Sequence, residues 1–84
     1  MAKYDPLKHH LNGRTKAEIT MDFKEIEKVI GAELPPSAYT HRAWWANERV
    51  GSHVHCRSWL DAGYSLDQVD FARQRVVFRR AGAP

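Results

Sequence analysis

The chain has 84 residues, of which 43% are hydrophobic and 27% are charged, so its composition is that of one small globular domain. This length excludes a multidomain enzyme and leaves few residues to enclose a deep cofactor cleft. The single cysteine, Cys56, excludes an intramolecular disulfide, and no apolar run approaches the ~18 residues that a membrane span needs. We expect a cytoplasmic protein whose residues 1–84 form a single domain, with an ordered core over about residues 4–80.

The first half of the chain predicts two helices separated by a short strand. Residues 7–11 follow an Asp-Pro pair, which is typical of a helix start, and an Asn-Gly pair ends this segment. Residues 18–21 alternate polar and apolar side chains, which predicts a strand. Asp22 and Glu25 have the spacing of a capping box, so a second helix begins here and ends at Gly31.

The second half predicts two more helices and a hairpin. Ser37 is placed to cap a helix over residues 38–46, and a further helix is predicted over residues 52–62. Residues 64–71 and 75–80 have strand spacing and flank a turn. The expected fold class is α+β: a three- to four-helix N-terminal part followed by a C-terminal β-hairpin, like a winged helix-turn-helix domain. The early strand could join the hairpin as a third strand.

A domain this small needs large side chains in its core. Trp44 and Trp45 are adjacent, so on a helix they point about 100° apart and only one of them enters the core. The other indole is expected to cover a neighbouring groove, or to stack on a base or another ligand. The predicted core residues are Leu7, Leu11, Ile19, Phe23, Ile26, Ile30, Leu34, Ala38, one of the two adjacent tryptophans, Trp59, Leu60, Val69 and Val77.

The formal charge of +3 comes entirely from the second half of the chain. Residues 1–33 carry six basic and six acidic side chains, whereas residues 34–84 carry seven arginines and four acidic side chains. Arginine has a planar fork of donors that suits phosphate groups and guanine edges. A solvated surface rich in arginine would explain the same charge, so the charge alone does not decide the function.

The residues around the helix predicted over residues 52–62 favour a DNA-binding module. They combine arginines with side chains that hydrogen-bond to base edges and phosphates, so the helix would contact bases and the hairpin would contact phosphates. The predicted nucleic-acid-binding residues are Arg42, Asn47, Arg49, Ser52, His53, His55, Arg57, Arg75, Arg79 and Arg80. The expected partner is double-stranded DNA. Because +3 is low for a purely electrostatic binder, base contacts or a homodimer would be needed for useful affinity.

Other chemistries have weaker support. His53 and His55 are two residues apart on a predicted helix, which does not match the usual spacing of zinc ligands. Cys56 could pair with a histidine as a nucleophile, but no glycine-rich oxyanion loop or positioned acid accompanies it. We therefore predict no catalytic residues, no metal ligands and no small-molecule cofactor. The alternative function is a protein-interaction module that binds a peptide or partner through a Trp-lined groove.

Five segments resemble a family of short, functionally unassigned bacterial and phage domains. They are residues 23–31, 34–38, 41–47, 59–64 and 76–80. The most specific pieces are the Trp-Trp-Ala-Asn run and the Ala-Gly-aromatic run. The resemblance covers about residues 4–80. It implies a recurring single domain, and it implies no activity.

Overall fold

The computed structural model of the protein describes residues 3–47 and 54–81. The α-helices in these residues are α1 (Asp5–Asn12), α2 (Phe23–Ile30), α3 (Pro36–Thr40) and α4 (Arg57–Leu60), and 3₁₀ helices span Arg42–Trp45 and Val54–Cys56. The strands are β1 (Glu18–Asp22), β2 (Tyr64–Asp70) and β3 (Arg75–Arg80). The α+β class and the C-terminal hairpin are therefore confirmed. None of the helices in the described residues combines the length and the apolar character that a membrane crossing requires.

The three strands form one antiparallel sheet in the order β1-β3-β2, so β1 joins the hairpin as its third strand. Strand β3 is central, and its alternating side chains decide which face is buried. Val76 and Phe78 point into the core, whereas Arg75 and Arg79 lie on the outer face. A bulge at Asp67 shifts the register between β2 and β3.

The capping box at the start of α2 is confirmed. The Asp22 carboxylate accepts a hydrogen bond of 2.7 Å from the Glu25 backbone N–H, and the Glu25 carboxylate accepts one of 3.1 Å from the Asp22 backbone N–H. At the other end, Gly31 has a φ of 70°, the left-handed conformation that ends helices and favours glycine. Both boundaries are local features, which is why the sequence predicts them.

The core is built around a series of stacked and tilted aromatic rings. Phe23 stacks on Trp45 with centroids 5.3 Å apart, and Trp45 stacks on Trp59 at 5.8 Å. Phe78 of β3 lies 5.5 Å from Trp59 and connects the rings to the sheet. Trp45 is fully buried and Trp44 is partly buried, so the prediction that one of the pair enters the core is confirmed.

Several core predictions need correction. Val77 was expected in the core, but it lies on the outer face because its neighbours on β3 face inward. The predicted core residues Ile19, Leu60 and Val69 pack against the core while remaining partly exposed. The buried apolar side chains that the sequence prediction missed are Met21, Tyr64, Leu66, Val76 and Phe78.

The helix predicted over residues 38–46 is interrupted. His41 has extended backbone angles (φ −115°, ψ 115°), so α3 ends at Thr40 and a 3₁₀ helix follows. In a continuous α-helix Trp45 would lie roughly 10 Å along the axis from Ala38. The break instead lets the Trp45 indole N–H donate to the Ala38 carbonyl at 2.7 Å. Burial of this indole with its N–H satisfied thus outweighs helix continuity.

The helix predicted over residues 52–62 is also shorter than expected within the described residues. A 3₁₀ turn precedes α4, which itself has only four residues. Gly63 has a φ of 89° and its carbonyl accepts a 2.7 Å hydrogen bond from the Ala81 N–H. This positive φ turns the chain from α4 into β2, so the predicted stop at Gly63 holds.

Candidate nucleic-acid interface

Asn47, one of the predicted base contacts, is bonded within the protein. Its amide N–H donates to the Leu66 carbonyl at 2.9 Å, and its amide oxygen accepts from the Leu66 N–H at 2.8 Å. The same oxygen accepts from the Trp59 indole N–H at 2.9 Å. The side chain thus pairs with the outer edge of β2 as a neighbouring strand would. A base contact by Asn47 would have to replace some of these bonds.

His55 also serves the protein interior. It is only 9% exposed, and its ring stacks on Trp44 with centroids 4.0 Å apart and planes 3° apart. Its Nε2 atom is 2.6 Å from the Trp44 carbonyl oxygen, so the N–H at this position donates to that carbonyl. The Ser58 hydroxyl donates to the His55 carbonyl at 2.6 Å. These bonds hold the two 3₁₀ helices against each other.

The hairpin arginines lie among carboxylates. Arg79 forms ion pairs with Glu18 at 2.6 Å and with Asp67 at 3.3 Å. The hydrogen bond from Arg79 to Asp67 and the charges of both carboxylates raise the pKa of Arg79. Arg75 lies across the sheet from Asp22 on one side and Asp70 on the other. This outer face therefore carries both arginines and carboxylates.

Cationic side chains gather instead on the two sides of α1. On one side, a cleft of about 310 Å³ separates α1 from α4. Its lining residues are Lys3, Tyr4, Asp5, Lys8, Arg57, Ser58 and Asp61. We call this space the α1–α4 cleft.

On the other side of α1, Arg14 and Lys16 meet the end of β3. The Arg80 guanidinium donates to the Arg14 carbonyl at 3.2 Å, and the Tyr64 hydroxyl donates to the Lys16 carbonyl at 2.8 Å. His10 lies 3.3 Å from the Arg14 guanidinium. Burial, and then the charge of Arg14, lower the pKa of His10, so it adds little charge near neutral pH. We call Arg14, Lys16 and Arg80 the α1-end cluster.

The structure thus divides the predicted site. Arg57 lines the α1–α4 cleft, whereas Arg80 bonds to Arg14, which follows the end of α1. Arg42 is exposed on the first 3₁₀ helix. Arg75 and Arg79 lie on the outer sheet face, while Asn47 and His55 bond within the protein. The predicted contacts Arg49, Ser52 and His53 lie outside the described residues.

Sequence analysis missed the cations of the N-terminal half, namely Lys3, Lys8, Arg14 and Lys16. They were hidden because residues 1–33 have no net charge. Some of the acidic side chains in this half already have partners within the protein. Glu25 belongs to the capping box, and Glu27 pairs with Lys24 at 3.4 Å. The capping box is visible in the sequence, and it indicates that the carboxylates of Asp22 and Glu25 bind backbone N–H groups at the helix start.

Two of the three tryptophans are fully buried, and the third is covered on one face. Trp45 and Trp59 are 0% and 1% exposed, and Trp44 is covered on one face by His55. Tyr4 makes an edge contact with Trp44, with ring centroids 6.1 Å apart. Among the described residues, no group of three or more His, Cys, Asp or Glu side chains is placed to hold a metal ion.

Comparison with known proteins gives one result. A family model described as "Domain of unknown function (DUF7662)" matches residues 4–81. No match was found among curated proteins or among solved structures. The matched segment runs from the start of the α1–α4 cleft to the end of β3, which is nearly the whole chain. The chain therefore belongs to this family of domains of unknown function.

Proposed function

We propose that this domain is a non-enzymatic DNA-binding module, a small sequence-preferring regulator of bacterial or phage origin. It binds double-stranded DNA through the cationic side chains on both sides of α1. The observation that carries the proposal is a set of cations that form no ion pair with any carboxylate of the described residues. They are Lys3, Lys8, Arg14, Lys16 and Arg80. A DNA partner implies a cytoplasmic location.

Unpaired cations on one side of a small protein favour a polyanionic partner. Each phosphate that a lysine or arginine neutralises releases condensed counterions from the duplex, which drives binding at low salt. Arg79 is less available for this role because two carboxylates already neutralise it. For this reason the proposal moves the phosphate contacts from the hairpin to the α1 side.

The strand order supports a relation to winged helix-turn-helix domains. A helix, a strand, further helices and a hairpin, with the sheet in the order β1-β3-β2, is the arrangement expected of a winged domain. The four residues of α4 are few for a recognition helix that lies in a major groove. We therefore retain the winged relation for the fold and assign the DNA surface to α1.

The test compares two triple variants of equal charge by fluorescence anisotropy with a labelled duplex of about 30 base pairs. The first is Lys8→Gln/Arg14→Gln/Lys16→Gln, on the proposed surface. The control is Lys24→Gln/Lys28→Gln/Arg73→Gln, on α2 and the hairpin turn. We expect the first triple to lower the slope of log affinity against log salt by about two to three, since each phosphate contact contributes about 0.9. The control should bind like the parent.

Two outcomes would contradict the proposal. If folded parent protein binds no duplex at low salt, the DNA assignment is wrong and the protein-interaction alternative gains support. If both triples weaken binding equally, net charge and not the α1 surface controls the affinity. Sequence preference is checked separately by selection of bound duplexes from a random library. Sedimentation of the complex checks the proposed homodimer, because a dimer would put two protein copies on one site.

A further inference from the structure

We propose that the α1–α4 cleft binds a single nucleotide, with a preference for guanine. The cleft shares Lys3 and Lys8 with the proposed duplex-binding surface. The inference does not depend on duplex binding, because it is tested with single nucleotides. The bound nucleotide is either a free nucleoside monophosphate or the terminal nucleotide of a DNA strand, since both present the same phosphate and base.

The size of the cleft suits one nucleotide. Its volume of about 310 Å³ lies at the lower end of the ~300–1,000 Å³ typical of small-molecule pockets. Residues from two elements enclose it, because Tyr4 and Lys8 come from the α1 side while Ser58 and Asp61 come from α4 and its end. Such a space is large enough to hold the base or the sugar phosphate of one nucleotide.

The cations of the cleft suit the phosphate. Lys3 and Lys8 line it and form no ion pair within the described residues. The Lys3 ammonium lies over the Tyr4 ring, 5.6 Å from its centre, so the cleft holds a cation and an aromatic ring in contact. This pairing suits a ligand that carries both an anionic group and a flat ring.

The base preference follows from Asp61 and Tyr4. The Asp61 carboxylate has no hydrogen bond or ion pair within the described residues, and an ionised carboxylate only accepts hydrogen bonds. Guanine offers it two adjacent N–H groups on one edge, whereas adenine offers one amino group on that side. The Tyr4 hydroxyl also has no hydrogen-bond partner among the described residues, so it can hydrogen-bond to a ligand in the cleft.

The test is a titration of ¹⁵N-labelled protein with dGMP, dAMP and inorganic phosphate, followed by amide shifts. We expect saturable shifts confined to residues 3–8 and 57–61, with dGMP bound at least about tenfold more tightly than either competitor. Lys8→Gln should weaken dGMP and phosphate alike, about tenfold. Asp61→Asn should reduce the preference for dGMP over dAMP and leave phosphate binding unchanged. The control variant Lys28→Gln, on the exposed side of α2, should change nothing.

Three results would overturn the inference. Absence of saturable shifts would mean that the cleft binds no nucleotide. Equal binding of phosphate and dGMP would mean that it binds anions without contacting a base. An unchanged preference in Asp61→Asn would remove the assigned base contact. A duplex with a 5′-phosphorylated guanine overhang, compared with a blunt duplex, separates the two sources. If the cleft binds the terminal nucleotide of a strand, residues 57–61 shift with the overhang duplex and not with the blunt duplex.

Discussion

At the scale of single residues, two polar side chains do structural work that their sequence context does not reveal. Asn47 joins the edge of β2 to the indole of Trp59, and the Glu27 carboxylate accepts hydrogen bonds from the Leu34 N–H at 2.8 Å and from the Tyr39 hydroxyl at 2.9 Å. Both side chains connect segments that are distant in sequence. A residue that looks suited to bind a ligand can therefore be occupied by the fold.

The Asn47→Ala variant tests this distinction. The change leaves the Trp59 N–H and both backbone groups of Leu66 without their partner, so we expect a loss of about 1–3 kcal/mol in the free energy of unfolding, measured by urea denaturation. Asn12→Ala, at the exposed end of α1, is the matched control and should change stability by less than about 0.5 kcal/mol. Unchanged stability in Asn47→Ala together with weaker duplex binding would instead support the original prediction of a base contact.

The Glu27→Gln variant tests the second polar connection through pH. Burial alone would raise the pKa of Glu27, but the hydrogen bonds from Leu34, Tyr39 and Lys24 outweigh burial and lower it. A carboxyl whose pKa is lower in the folded state contributes stability above its unfolded pKa of about 4.3, and that contribution is lost as pH falls through the folded value. We expect the parent to lose more stability than Glu27→Gln between pH 5 and pH 3, measured by denaturation at each pH. Parallel pH profiles would show that Glu27 is not the group responsible.

At the scale of elements, the sequence predicts what is local and misses what depends on distant partners. The capping box of Asp22 and Glu25 lies within four consecutive residues, so its helix start was predictable. The break at His41 depends on the bond from Trp45 to Ala38 and on the ring of Phe23. Phe23 lies outside residues 38–46, so no pattern within this segment predicts the stack of its ring on Trp45.

The sequence also does not show which side chains of β3 face the core. Val76, Val77 and Phe78 are all apolar, so alternation alone does not say which of them face inward. The central position of β3 between β1 and β2 settles the phase, because the partner strands bring Met21 and Leu66 to the core face. The candidate site was lost to sequence analysis for a related reason: pairing between distant residues neutralises Arg79 and leaves Lys8 and Arg14 unpaired.

The turn between α4 and β2 offers a prediction at this scale. Gly63 has a φ of 89°, where an added Cβ would meet no atom within 4 Å but the backbone would be strained. We expect Gly63→Ala to lower the free energy of unfolding by about 1–2 kcal/mol, measured by thermal or urea denaturation. Gly13→Ala is the matched control: Gly13 has a φ of −83° and open space around it, so this change should be neutral or slightly stabilising. Equal effects of the two variants would show that the positive φ is not what requires glycine.

At the scale of the whole molecule, the distribution of paired and unpaired charge matters more than the net charge of +3. The outer face of the sheet holds arginines whose carboxylate neighbours lie on the adjacent strands. The cations around α1 form no ion pair with a carboxylate of the described residues. The two regions therefore differ in how far carboxylates pair with their cations, and the candidate interface lies around α1 and not on the hairpin.

The most direct test of this account is to map duplex DNA onto the parent protein by NMR. Amide shifts are followed in ¹⁵N-labelled protein as a duplex is added at low salt, and again at high salt. We predict salt-sensitive shifts at residues 3–16 and at Arg80, with little change at Arg75 and Val77 on the outer sheet face. Shifts concentrated on residues 72–79 with an unchanged α1 would contradict the account, because they would show that the hairpin, and not the α1 side, contacts the DNA.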